Sequence, residues 1–229
     1  MQKAIGRSLS YWQKKAQHFS NLYDSQSPAN IPSRIVAKFL KDRTDVLLSL
    51  LPASPIHHLL DLGCGSGEHI KLLSPRCRRI TGIDYSKQML DIARVNLKKM
   101  ARKNWRLVHA DAEKIPFPPH TFDVVIAMGL IDYVPNPKKV LSECRRVMTE
   151  DGTLVISIPK KPSIFSLLRN PLGNVIKRII FHLPPIDNAY TRSELIALFA
   201  LSGFTLSHMN ALWGAMWMVK AKPDKRNKI

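Results

Sequence analysis

Apolar positions follow two different spacings along this chain. From Tyr11 to Tyr23 they recur at three- and four-residue steps (Tyr11, Trp12, Ala16, Phe19, Tyr23), which predicts one amphipathic helix. The stretch Ser27–Pro32 breaks it, and a second helix is expected over Arg34–Leu51, ending before Pro52 and Pro55. From His57 the pattern changes. Short apolar runs at His57–Leu62, Arg79–Asp84, Trp105–Ala110, Phe122–Met128 and Thr153–Ile158 alternate with helical patterns at Glu68–Leu73, Ser86–Lys103 and Pro137–Met148. Strands alternating with helices predict an α/β fold, a mainly parallel sheet with helices on both faces. Val124-Val125-Ile126-Ala127 is apolar on both parities, as a central strand buried on both faces requires.

Behind Pro159 the alternation stops. Leu172, Val175, Ile176, Ile179 and Leu183 sit at helical spacing after Pro171, among five basic residues and no acid over 159–185. Thr191–Ser202 reads as a helix with Thr191 as N-cap and Glu194 three residues on, a capping-box pattern, and Gly203 follows as its C′ residue. Phe204–Met209 and Ala215–Lys220 read as two closing strands in hairpin spacing. The expected organisation is a helical extension or lid over 1–56, one domain over 57–221 with a basic, apolar insertion at 159–190, and a basic tail over 222–229.

Composition narrows the classes. The chain has 229 residues and a formal charge of +18, divided as +5 over 1–57, +5 over 58–158 and +8 over 159–229. Such an excess suits an anionic partner, whether nucleic acid, an anionic membrane surface or an acidic substrate. The unbroken apolar stretches Val124–Ile131 and Ala211–Val219 are far shorter than the roughly 20 residues a spanning helix needs. No apolar core follows the basic start, so no secretory signal is read. The three cysteines Cys64, Cys77 and Cys144 form no CxxC pair, and the eight histidines make no metalloprotease motif. Reduced thiols, a cytoplasmic location with peripheral membrane contact as the variant, and no metal are expected.

The informative segment is Leu59-Leu60-Asp61-Leu62-Gly63-Cys64-Gly65-Ser66-Gly67, which follows a strand and opens a helix. Glycines at 63, 65 and 67 allow a tight turn and close backbone approach to a ligand. Asp84 ends the next strand 21 residues after Gly63, where a carboxylate can accept from ribose hydroxyls. A dinucleotide fingerprint needs a small residue three positions after its second glycine, and Glu68 or Ile70 stands there instead. An acid at the helix start also opposes a pyrophosphate. The loop suits a nucleoside without phosphate. S-adenosylmethionine is one, and Asp61 is a partner for its ammonium group.

These segments carry a resemblance. Leu60–Gly67 resembles motif I of class I S-adenosylmethionine-dependent methyltransferases, and Ile83-Asp84-Tyr85-Ser86 with Met89-Leu90 their second motif. His109–Phe117 is similar to the third, Phe122–Ile126 to the fourth and Val147–Leu154 to the fifth. The likeness is nearest to the small-molecule branch that includes the ubiquinone/menaquinone-biosynthesis type, well matched over about 57–158 and loosely over Tyr190–Ser207. It implies a Rossmann-like sheet of seven strands, mainly parallel, with the seventh antiparallel. It also implies cofactor contacts. Asp61, Gly63, Cys64, Gly65 and Gly67 would hold the methionine part. Asp84 would take the ribose, Tyr85 and Met89 the adenine face. Asp111 and Ala112 would take the adenine edge, with Ala127 and Met128 beside the transferable methyl. Asp132-Tyr133 stands where many relatives carry paired histidines, and Met128-Gly129 where small and aromatic residues are common, so the substrate class is not carried over.

The expected activity is methyl transfer from S-adenosylmethionine to a small-molecule or lipid-like acceptor by in-line displacement. The sulfonium already activates the methyl, so alignment of the acceptor is the main task, worth about 7–11 kcal/mol of barrier for well-oriented reactants. No catalytic residue is assigned. Substrate-side candidates are Tyr11, His18, Tyr23, Asp132, Tyr133 and Tyr190. Alternatives are an RNA or other nucleic-acid methyltransferase, motivated by the charge, and a non-catalytic cofactor-binding partner protein. Against nucleic acid, the basic run Arg94–Arg106 has Trp105 as its one aromatic residue, thin for base stacking. A solvated helix face explains that run more simply. Cys64 reads as a filler of buried space and Asp123 as a turn former.

Overall fold

The computed structural model describes residues 31–162 and 188–225. The expected helix over Tyr11–Tyr23, with Tyr11, His18 and Tyr23, and most of the 159–190 insertion lie outside the described residues. The described chain opens with α1 (Ile31–Leu50), followed by β1 (Ile56–Leu62), α2 (Glu68–Leu73), β2 (Cys77–Asp84), α3 (Lys87–Lys98) and β3 (Trp105–His109). Then come β4 (Phe122–Met128), α4 (Pro137–Val147), β5 (Met148–Pro159), α5 (Arg192–Leu201), β6 (Phe204–Leu212) and β7 (Met216–Pro223).

The seven strands form one sheet in the order β3-β2-β1-β4-β5-β7-β6. β1 to β5 are parallel, and β7 runs antiparallel to both β5 and β6, as the resemblance implied. The strand order reverses between β1 and β4, so a crevice opens where those two strands end, the place where open α/β sheets take ligands.

Side-chain alternation builds two cores. Val125 and Ala127 of β4 join Leu60, Leu62, Leu141, Leu154 and Phe199 on the face covered by α4 and α5. Val124, Ile126 and Met128 join Leu47, Leu59, Ile70, Leu73 and Leu97 on the face covered by α1, α2 and α3. That is why β4 is apolar at every position from Val124 on.

Several boundaries differ from expectation, each for a local reason. α3 stops at Lys98, short of Lys103, because Lys103 Nζ donates to Lys98 O and Asn104 Nδ2 donates to Ser74 O and Cys77 O, drawing the chain into β3. β5 begins at Met148, not Thr153, since the register shifts between Phe122 and Val124 and lets Met148 pair with Phe122. β6 and β7 run longer than expected and close through a turn with Trp213 at φ 51° and Gly214 at φ 65°. β7 includes Lys222 and Pro223, and Asp224 N donates to Gly203 O, so the first residues past 221 are part of the sheet. α5 carries the expected capping box between Thr191 and Glu194.

Candidate active site

Where β1 ends, the chain turns sharply because β2 holds it. Gly63 N and Cys64 N both donate to Ile83 O, at 2.8 and 2.9 Å. Gly67 has φ 86°, and a Cβ there would lie 3.2 Å from Leu97 Cδ1, so both conformation and packing against α3 select glycine. Gly82 of β2 is as demanding, since a Cβ there would meet Ile70 Cδ1 at 2.6 Å and Cys64 Sγ at 2.9 Å. Cys64 thus fills buried space under the loop, and burial, then the Asp61 and Asp84 carboxylates, push its thiol well up. Only its backbone is available to a ligand, and its thiol is not a nucleophile.

Asp84 lies beside this turn as the spacing predicted. Its Oδ2 accepts from Gly65 N at 2.9 Å and its Oδ1 from Ser86 N at 2.8 Å. Burial raises its pKa, and those two N–H donors oppose the rise. Tyr85 is exposed, with its ring 6.0 Å from that of His109. Met89 is buried behind the Ser86 cap of α3. Asp111 is exposed and its Oδ1 accepts from Glu113 N, the local turn bond an Asp commonly makes. Ala112, Ala127 and Met128 are buried.

The polar centre of the crevice is Asp61. It is 1% exposed, and neither carboxylate oxygen has a hydrogen-bond partner among the described residues. Burial, then the Asp84 charge, push its pKa up to about 8, against the pull of Arg43. An unpartnered buried carboxylate is costly and calls for an explanation. Asp132 is a second case. It lies in the one-turn 3-10 helix Ile131–Tyr133 after β4, is 3% exposed, and leaves Oδ1 without a partner among the described residues. Burial pushes it up to about 7, again against Arg43.

Arg43 connects these groups and was not singled out by sequence reasoning. α1 buries Val36, Leu40, Arg43, Leu47 and Leu50, so an arginine stands on the apolar seam of the helix, and that seam was the available signal. Its Nη1 lies 3.0 Å from where a Cβ on Gly129 would sit, over the end of β4. The β6–β7 turn holds α1 in place. Trp213 Nε1 donates to Asp42 Oδ2 at 3.0 Å, and its ring packs edge-on against Phe39. His69, at the start of α2, is buried, and burial with the Arg43 charge pushes its pKa down to about 3.

Asn188 was also missed. Its side-chain amide donates to Ile131 O at 2.9 Å and Val134 O at 2.8 Å, and its N–H reaches Asp132 O at 3.4 Å. It thereby fixes the turn that bears Asp132. Tyr133 and Tyr190 are half-buried. Tyr190 bonds through its backbone, donating to Pro159 O and accepting from Trp217 Nε1, while its side chain packs on the core. Of the expected substrate-side residues described, Asp132 is the buried one, in the turn that follows the end of β4. Among the described residues no cluster of acids, histidines and cysteines could hold a metal ion.

Comparison with known proteins points the same way. Residues 60–156 match a family described as a methyltransferase domain. The phosphatidylethanolamine N-methyltransferase of Cereibacter sphaeroides is 40% identical over 99 residues, 43% of this chain and 48% of that protein. The demethylmenaquinone methyltransferase of Tropheryma whipplei is 28% identical over 145 residues, 62% of this chain and 59% of that protein. The chain spans less than two thirds of the length of either relative. The solved magnesium protoporphyrin IX methyltransferase from Synechocystis, with bound SAH, superimposes with a TM-score of 0.74. The match covers 96% of this chain and 99% of that one at 15% identity, a likeness of fold.

Proposed function

We propose that the protein, whose residues 60–156 match a methyltransferase domain, is a class I S-adenosylmethionine-dependent methyltransferase that acts on a small-molecule or lipid-like acceptor. The observation that carries the cofactor assignment is the Asp61 carboxylate, buried with both oxygens unpartnered at the mouth of the glycine turn. An ammonium group is the partner such a site lacks. Arg43, the cation above the end of β4, would face the methionine carboxylate. Asp84 would accept from the ribose hydroxyls with the lone pairs its two backbone donors leave. Tyr85 and Met89 would flank the adenine, Asp111 and the Ala112 amide its edge. Ala127 and Met128 would line the methyl side.

When bound, S-adenosylmethionine supplies a methyl group already activated by the positive sulfur. The chain's own residues then bind and orient. The turn Gly63–Gly67 is tied to β2 by two hydrogen bonds to Ile83 O. The turn after β4, held by Asn188, would form the wall against which an acceptor is aligned. Alignment is the main term such a site contributes.

Two relatives act, by their names, on a lipid and on a quinone precursor, and this supports an acceptor of that kind. The branch nearest the ubiquinone and menaquinone enzymes is the finer form of the proposal. Nucleic acid is disfavoured by position. Lys98, Lys99, Arg102, Lys103 and Arg106 lie between the end of α3 and the start of β3, at the edge of the sheet away from the glycine turn. No helix among the described residues is long and apolar enough to cross a membrane.

Titration calorimetry tests the cofactor assignment. S-adenosylmethionine should bind, NAD should not, and Asp84→Ala should weaken the first. Tight NAD binding would reverse the assignment.

A further inference from the structure

Asp132 has no role in holding the cofactor, yet the fold goes to some length to bury and fix it. The residue is 3% exposed and its Oδ1 has no partner. Three hydrogen bonds from Asn188 lock the turn around it, two from the side-chain amide and one from the backbone. The turn follows directly on Met128 and Gly129, where β4 ends beside the crevice, and Gly129 N is itself tied to Ser157 Oγ at 2.8 Å. A buried carboxylate held this way costs stability. A carboxylate that served only the fold would be paired.

We propose that Asp132 is the general base of the methyl-transfer site, so that the acceptor is one that gives up a proton on methylation, a hydroxyl or an ammonium group and not a carboxylate. The proposal rests on the assignment of the crevice to S-adenosylmethionine. In the step, the acceptor's heteroatom, which in an ammonium group first loses its proton to expose a lone pair, forms a bond to the methyl carbon as the carbon–sulfur bond breaks and leaves its electron pair on sulfur. The acceptor's proton passes to the Asp132 carboxylate, which becomes neutral. A carboxylate acceptor would have no proton to give, and it would meet a second negative charge in a dry site.

The charged and titratable surroundings are consistent with this. Arg43 from α1 is the cation that acts on Asp132, and the same arginine acts on Asp61 at the end of β1 and on His69 of α2. His69 is neutral. Tyr133 stands next in the same turn, Tyr190 packs on the core cluster that includes Ile131 and Val134, and Asn188 and Ser157 bring only neutral groups. Burial leaves Asp132 near the pH at which a base accepts a proton and returns it readily, at about 7.

The test uses S-adenosylmethionine labelled in the methyl group, a deproteinised extract of small molecules and lipids from the host cells, and the full chain. Transferred label should resist alkali, as methyl ethers and N-methyl groups do. Release as methanol, the mark of a methyl ester, would overturn the proposal. Asp132→Asn should lower turnover by about 100-fold or more while cofactor affinity by calorimetry stays within a few-fold. Turnover at the wild-type rate would overturn it. A readout independent of activity is the melting temperature of the ligand-free chain against pH. The loss of stability between pH 5 and 8 should shrink in Asp132→Asn, and an unchanged slope would show that this carboxyl is not the buried group supposed. Cofactor bound without label transferred to any fraction would sink the methyl-transfer function itself. Cofactor not bound at all would sink the assignment of the crevice.

Discussion

The two edges of the sheet treat buried polar groups differently. Where the strands begin, charged and polar side chains are tied to one another and to the backbone. His58 Nε2 meets Thr81 Oγ1 at 3.0 Å, Arg106 Nε donates to the same oxygen, and His58 N donates to Asp123 Oδ2. Arg146 donates to Ile115 O, Phe117 O and both oxygens of Glu143, which in turn accepts from Ile115 N. The buried atoms left over on that side are nitrogens, Trp105 Nε1 and Arg145 Nε. Where the strands end, the atoms left over include both oxygens of Asp61 and one of Asp132. At the first end the acids are paired, whereas at the second, among the described residues, buried carboxylate oxygens are left without a partner. The difference locates function by what the fold leaves undone rather than by any motif.

The contrast predicts opposite responses to pH, and this is the largest expected effect. For Asp61 and Asp132 the folded pKa is raised to about 8 and about 7 above an unfolded value near 3.8. The folded chain therefore holds protons that the unfolded chain has lost, and its stability falls as pH rises toward 8. For His58 the folded value is about 4 against 6.5, so stability is lost instead as pH falls below 6.5. Melting curves of the ligand-free protein should show a decline from pH 6.5 to 8 that Asp61→Asn flattens and His58→Gln does not. A decline that survives Asp61→Asn unchanged would erase the distinction between the edges.

Next in size is the completed edge itself. Arg146→Ala leaves Ile115 O and Phe117 O without this donor and Glu143 with Ile115 N alone, which should cost about 1–3 kcal/mol, discounted because the arginine is partly exposed. Cofactor affinity should not change. If affinity fell as much as stability, the two edges would be energetically one unit. The smallest effect is expected at the cap of α5. Thr191→Ala should cost about 1 kcal/mol of stability in urea unfolding with no effect on the crevice.

Much of this was legible in the sequence where local chemistry decides it. β4 was found to the residue because apolar side chains on both parities leave no other element. The glycine turn and the placement of Asp84 beside it were legible because spacing and residue type state the requirement together. α3 was read five residues too long, since Lys99–Lys103 is helical in composition and only the Asn104 contacts across the fold end it. Gly82 gave no signal, because its constraint is a side chain from another element. Asp132 was a candidate by position. Its burial and its fixing by Asn188, 56 residues later, depend on tertiary contacts that no local pattern reports. Arg43 could have been read from a charge on an apolar helix seam, and it was passed over because the apolar residues alone explained the helix.

The most direct measurement compares affinities for S-adenosylmethionine and 5′-methylthioadenosine, which keeps the nucleoside and lacks the ammonium group, in the wild type and in Asp61→Asn. Losing one partner of a buried charge pair costs about 2–5 kcal/mol, so the wild type should prefer the full cofactor strongly. In Asp61→Asn that preference should fall by tenfold or more, with the melting temperature in the absence of ligand unchanged or raised. An equal preference in both proteins would contradict the account, because the carboxylate left unpaired by the fold would then not be the group that receives the cofactor.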